Sequence, residues 1–398
     1  MKYYVFFVIM LFGYQSYGQH KTLLIYDLEN NSLDSLTNLE FDTTRTNDKT
    51  TFFIGTIDES IQTLAQEAPG TNIYPGSQFT RKRQAALDYD LTKYPLRTNS
   101  KIFYALNDTL HDLCSGSLIS RKHVLTAAHC VSEILTSTLT YDSLIVCPAF
   151  NNGSASSAFP CSPVRKVYIF KGWNFNGDDF ALLELYDPIG SITGWISIGF
   201  NAVDSTLKQG IFYKFSYPAQ TILQIDSNEY NGDTLYYSYG ITDLFNEKFI
   251  GVEYARAIPG ESGSSIIKVE NETSYTSYGV LSFSTNLMHS RLSNWSYYYL
   301  ESIIHQDLIY NVGEEKGKNR IVLFPNPADD KIRIQPLPDR TNFEVNICNI
   351  YGQLVMSLPG NDVNSGIDIR TLSEGIYFVI LKTTGHDLIV KKMTIRRN

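Results

Sequence analysis

The sequence predicts an all-β protein in two unequal parts: an antiparallel barrel or sandwich closed by a helix, then a small β-sandwich. Three observations lead there. Short runs rich in Val, Ile, Leu, Tyr and Phe recur between about Asp88 and Tyr310, each bounded by Gly, Asn, Asp or Pro. A polar, glycine-bearing stretch, Asn311 to Arg320, then interrupts them. Beyond it the alternation resumes, with about seven short strands in roughly 75 residues.

At 398 residues the chain exceeds one typical domain, and 43% hydrophobic residues suffice for packed cores. A net charge of −8 provides no general attraction to phosphate backbones, which argues against nucleic acid as a partner. Twenty-seven tyrosines, among many Ser, Thr and Asn, suit β structure facing an extracellular medium.

In chain order, Lys2, the apolar run Val5 to Phe12 and the small residues of Ser16-Tyr17-Gly18 form a secretory signal peptide, residues 1–18, cut after Gly18. A membrane anchor needs roughly 20 apolar residues, and no stretch here is that long, so no transmembrane anchor is expected. Residues 19–87 are polar and read as a propeptide or N-terminal segment. Arg81-Lys82-Arg83 near its end is either a processing site or a solvated charged turn, and the sequence does not separate the two.

The first β domain spans 88–310. Its strands include Ile102–Leu106, Leu144–Val146, Val167–Phe170, Ala181–Leu185, Ile211–Tyr213, Thr234–Tyr237 and Gly279–Phe283. Trp295, Tyr299, Ile303 and Leu308 approximate helical spacing and close it. Cys114, Cys130, Cys147 and Cys161 cluster within it. In an oxidising compartment they read as two disulfides with three possible connectivities, the local pairing 114–130 and 147–161 being preferred. Cys348 lies apart and is expected as a thiol. No close Cys/His set suggests zinc, and no metal or cofactor is expected. Residues 311–320 form a linker and 321–398 the second sandwich.

Three stretches carry chemistry. Val124 to Cys130 places His129 after two alanines at the end of an apolar strand; Asp178-Asp179-Phe180-Ala181 places an acid before a buried strand; Pro259 to Ser265 sets Ser262 between small residues. A serine hydroxyl is a weak nucleophile at neutral pH. It needs a base within reach, and the base needs an acid to hold its tautomer. His129 and an Asp at the mouth of the strand meet those needs, and the Asp-Phe-Ala-Leu-Leu register favours Asp179 over Asp178. Ser264 and Ser265 are alternatives to Ser262 only if the loop register slips.

The order His, Asp, Ser is that of the chymotrypsin clan. With Cys114 to Ile119 added, these stretches resemble a trypsin-like serine protease over residues 88–310. Tyr94-Pro95 and the Gly-Xaa-Ser-Gly-Ser form resemble the glutamyl endopeptidase branch. The resemblance implies a chymotrypsin-like double β-barrel acting on proteins or peptides. Ser262 would be the nucleophile, His129 the general base, Asp179 its orienting carboxylate, and the amides of Gly260 and Ser262 the oxyanion hole. It further implies that Arg256, six residues before the nucleophile, and Ser282 belong to the substrate pocket. Arg256 there would favour acidic side chains, unless it turns outward to solvent; the pocket histidine of glutamyl endopeptidases has no match beside Leu281, Ser282 and Phe283. Glu261 stands where trypsins carry Asp, Ser264 where they carry Gly, and no Ile-Val-Gly-Gly-like start lies near residues 84–95. Activation by a freed N-terminal amine is therefore not expected, and another group must stabilise the oxyanion loop.

Leu323 to Ala328, Ile347 to Gln353, Leu372 to Tyr377 and Lys391-Lys392 resemble a C-terminal sorting domain of the type IX secretion system. That implies the type IX machinery as a partner of residues 321–398, and a secreted or surface-attached product. The alternative to a secreted protease is an inactive homologue acting as a binding protein.

Overall fold

The computed structural model describes residues 21–397 apart from 38, 57–59, 107–108, 136–142, 176, 221–228, 311–321, 336–342, 350–353, 364–365 and 384–387. The expected signal peptide and linker lie outside the described residues. The protein is all-β, as its strand-sized apolar runs require. Six strands close into a barrel in the order Ala181–Leu185, His123–Thr126, Thr109–Leu118, Asn99–Leu106, Ser143–Pro148, Ser162–Phe170, the last pairing back onto the first. Closure leaves a shared interior for Ile102, Leu118, Leu125, Val146, Val167 and Leu183, all with essentially no exposure.

A second, half-closed barrel is built on Tyr236–Gly240, Phe212–Ser216, Ser265–Val269, Tyr275–Phe283 and Met288–Arg291 in hydrogen-bonded order. Phe212, Ile250, Ile266 and Leu281 fill its core. The closing helix is Asn294–Tyr310. Its start is held by a reciprocal pair: the Ser293 N–H donates to Ser296 Oγ (2.9 Å) and the Ser296 N–H to Ser293 Oγ (3.4 Å). Trp295 and Tyr299 lean edge-on against Phe170 of the first barrel.

Residues 21–87 are woven into both barrels rather than laid over them. Thr22–Asp27 pairs with Ser162–Phe170, and Asn47–Lys49 with Ser197–Asn201. Phe79 is buried in the second barrel's core, and Arg83–Gln84 pairs with Tyr236–Tyr237. Within the Arg81-Lys82-Arg83 run Lys82 is 4% exposed, whereas Arg81 is half-buried and Arg83 exposed. A pattern of charge alone does not reveal a lysine whose stem packs inward against a buried carboxylate.

The C-terminal part contains seven strands among its described residues, in a three-stranded and a four-stranded sheet. Period-two alternation puts Ile332, Ile334, Val345, Ile347, Val379 and Leu381 into one core. Cys348, on the other face of the strand Phe343–Asn349, is buried with Ile380 and Phe53 and belongs to neither disulfide.

The disulfides are Cys114–Cys130 and Cys147–Cys161, separated by 16 and 14 residues. Loops of that size remove about 3 kcal/mol of unfolded-chain freedom. Each double substitution, C114A/C130A or C147A/C161A, is therefore expected to lower the unfolding free energy by about 3 kcal/mol. Denaturant titration of the purified chain measures it, and an unchanged midpoint would contradict this account.

Candidate active site

His129 sits on the single turn Ala128–Cys130, directly after the barrel strand His123–Thr126 and tied down by the Cys114–Cys130 bridge. Asp179 precedes the barrel strand Ala181–Leu185, which pairs with His123–Thr126, so neighbouring strand ends bring acid and base together. His129 Nδ1 lies 2.8 Å from Asp179 Oδ2, and the His129 backbone N–H donates to Oδ1 at 2.9 Å. Asp179 has no exposure at all. A buried carboxylate needs several donors to stay ionised. Besides His129 it receives the hydroxyl of Ser282 on Oδ2. The ionised acid holds the Nδ1 proton, which leaves Nε2 with its lone pair available. Asp178 takes no part in this couple: it has φ +62°, is half-buried, and pairs with Lys21 Nζ at 2.9 Å.

Ser262 lies on a loop seated against the His129 turn. A Cβ added to Gly263 would come within 2.1 Å of Thr126 Oγ1 and 2.8 Å of the Ala127 nitrogen. One added to Gly260 would meet Tyr217 O at 2.4 Å. Gly260 and Gly263 have positive φ, +92° and +77° respectively, so backbone conformation and space each exclude a side chain. Ser115 holds the loop from the first barrel: its N–H donates to Ser262 O and its hydroxyl to Gly260 O, both at 2.9 Å. The Gly263 N–H donates to Leu281 O and the Leu281 N–H to Ser264 O, tying the loop to the Tyr275–Phe283 strand. Ser264 and Ser265 are fully buried, whereas Ser262 is half-buried. Neither the Gly260 nor the Ser262 amide finds an acceptor among the described residues.

The two pocket assignments change. Ser282 is buried and spends its hydroxyl on Asp179, so it orients the acid and does not line a pocket through its side chain. Arg256 is exposed, on a segment bridged to Thr285; its backbone carbonyl, not its guanidinium, faces the interior, where it accepts from Lys82 Nζ at 2.9 Å.

Sequence reasoning missed Ser115, Lys82 and Lys214. Ser115 lies inside the Cys114 to Ile119 motif, but its role needs the loop folded against it. The aromatic wall beside His129 was also unseen: Phe175 stands 5.4 Å from the imidazole and 5.4 Å from Phe283. Phe283, Leu244, Phe245 and Met288 continue it into an apolar cleft of about 350 Å³.

Behind the loop, His289 is fully buried on the strand paired with Leu281. Burial, reinforced by the charge of Lys214, pushes its imidazole down to about 3.

A closed barrel and a half-barrel, with an Asp–His couple at strand ends and a glycine-flanked serine loop seated against it, define a two-barrel serine-hydrolase architecture. The trypsin family model matches residues 95–293, half of the chain, and the chain belongs to that family. Residues 322–396 match the secretion system C-terminal sorting domain. Among curated relatives, chymotrypsin-C of Rattus norvegicus is 32% identical over 88 residues, 22% of this chain and 31% of that protein. Serine protease 23 of Mus musculus is 34% identical over 119 residues, 25% of this chain and 29% of the other. These matches span under a third of each relative's length. Among solved structures, a Glu endopeptidase in complex with MPD is similar at TM-score 0.44 and 17% identity, covering 56% of this chain and 97% of that one. The protease Anisep of Arthrobacter nicotinovorans is similar at TM-score 0.39 and 20% identity, with 53% and 92% covered.

One pH dependence follows from His289. The unfolded chain, with an imidazole near 6.5, takes up a proton before the folded one does. Stability from this group is therefore full above pH 6.5 and falls as pH drops from there toward about 3. Between pH 7 and pH 5 the protein is expected to lose about 2 kcal/mol more than the H289L variant. Urea titrations at the two pH values measure the difference.

Proposed function

We propose that the chain is an exported serine endopeptidase in which Ser262, His129 and Asp179 cleave peptide bonds. The observation that carries this is the fully buried Asp179 bonded through both oxygens to His129, against which the Ser262 loop is seated. In the reaction His129 Nε2 takes the proton from Ser262 Oγ as the oxygen attacks the substrate carbonyl. The amides of Gly260 and Ser262 receive the negative charge that develops on the carbonyl oxygen. His129, now imidazolium and stabilised by Asp179, gives its proton to the leaving amine. Water, deprotonated by the same imidazole, then releases the acyl group and restores Ser262.

Support for export comes from the sorting domain at 322–396 and from the signal-peptide pattern in residues 1–18. Residues 321–398 would engage the type IX machinery. Among the described residues no helix is long and apolar enough to cross a membrane.

With its side chain at the surface and not at the base of a pocket, Arg256 gives acidic side chains only a weak preference and no primary specificity. A solvent-exposed guanidinium attracts a carboxylate by under about 1 kcal/mol. The aromatic wall of Phe175 and Phe283 offers apolar contact to neighbouring substrate residues.

Two outcomes are expected. A fluorophosphonate probe labels the purified protein, and the S262A variant is not labelled; equal labelling of both would place the nucleophile elsewhere. On paired peptides differing only before the scissile bond, Glu is preferred to Lys by no more than about five-fold in kcat/KM, and R256A removes the preference. A Lys preference would refute the assignment of Arg256.

A further inference from the structure

Glu261, immediately before Ser262, is buried with no exposure and has all its acceptor positions engaged from within the chain. Lys214 Nζ and Ser216 Oγ (2.8 Å) donate to Oε1. The Ile258 N–H donates to Oε2 at 2.6 Å, and Lys82 Nζ lies 3.4 Å from the same oxygen. Both lysine side chains are 1% exposed. Burial by itself would raise this carboxyl, but Lys214 and then Lys82 hold it below its ordinary value. The lysines come from different places. Lys214 lies on the strand Phe212–Ser216 of the second barrel; Lys82 belongs to the N-terminal segment and is anchored there by Tyr74 OH at 3.0 Å and Arg256 O at 2.9 Å.

We propose that Lys82 is a positioning residue that, with Lys214, acts as the built-in counterion of Glu261, so that the intact chain with residues 21–87 in place is the active form. The inference rests on the endopeptidase reading and deepens it. The peptide unit between Glu261 and Ser262 supplies the Ser262 amide that would receive the oxyanion, so whatever anchors the Glu261 side chain sets the direction of that N–H. With four donors already on the carboxylate, no freed amine is needed to pair with it. An independent contact ties the start of the same segment to the other half of the site. Lys21 Nζ pairs with Asp178, next to Asp179, while Lys21 O accepts from Tyr299 OH at 2.7 Å. Removing the segment would leave a buried carboxylate with one ammonium fewer and the Asp178 turn without its cation.

The test uses the full chain with the R81Q/R83Q substitutions, which keep Lys82 but remove the neighbouring basic residues. Intact mass spectrometry of the fluorophosphonate-labelled protein is expected to show label on a chain that still contains residues 21–87, at the wild-type rate. The K82M variant is expected to lose about ten-fold or more in kcat with KM changed less than about two-fold, and K82R to keep more activity than K82M. Label found only on species cut at or after residue 81 overturns this inference and leaves the endopeptidase reading standing. So does a K82M enzyme with wild-type kcat. A chain that labels in no form, cut or intact, overturns both. Should K82M not fold, the R81Q/R83Q mass measurement decides by itself.

Discussion

Asp179 has no contact with water, and most of the site can be understood as what that burial demands. An ionised carboxylate inside a protein must be surrounded by donors, and here the chain supplies the His129 amide, the His129 ring and the Ser282 hydroxyl. Each donor constrains an element. The two His129 contacts hold the turn after the strand His123–Thr126, and the Ser282 contact holds an interior strand of the second barrel against the first. The acid thus aligns the imidazole and also joins the two halves at the place where the chemistry would occur.

A second buried carboxylate, Glu261, works on the other side of the nucleophile. Its donors come from the second barrel and from the N-terminal segment, and its backbone continues into Ser262. The loop between is shaped by contacts a side chain would block: Gly260 faces Tyr217 O, and Gly263 faces Thr126 and Ser115. Small residues in this run serve packing and backbone direction together. Ser115 completes the frame by reaching both Gly260 O and Ser262 O from the first barrel. Three segments far apart in the chain therefore meet within a few ångströms, and the loop has little freedom to take another shape.

The strand pattern and the three motif stretches were legible because each rests on local regularities. Period-two alternation marks the barrel strands and the C-terminal sandwich, and the short cysteine separations favour the pairing observed. Asp179 was readable for the same reason, since it stands just before the apolar strand that begins at Ala181. Within the tribasic run composition treats Lys82 as solvated, whereas a lysine can follow its charge inward when a carboxylate waits there. Arg256 and Ser282 were placed by offset from the nucleophile, and offset does not say which way a side chain points. One turned outward and the other toward Asp179.

The sequence by itself determined the β class, the closing helix, the separate C-terminal module and the residue types of the Ser, His and Asp stretches. These are consequences of periodicity, turn chemistry and chemical need, which act over a few neighbouring residues. Tertiary structure alone decided the partners of the charges. Lys82 and Glu261 are 179 positions apart, a distance shown by their numbers in the chain, and Lys21 and Asp178 are 157 apart. An ion pair costs more to bury than to leave in water unless both groups arrive together with their other donors in place. Only the folded barrels bring them there.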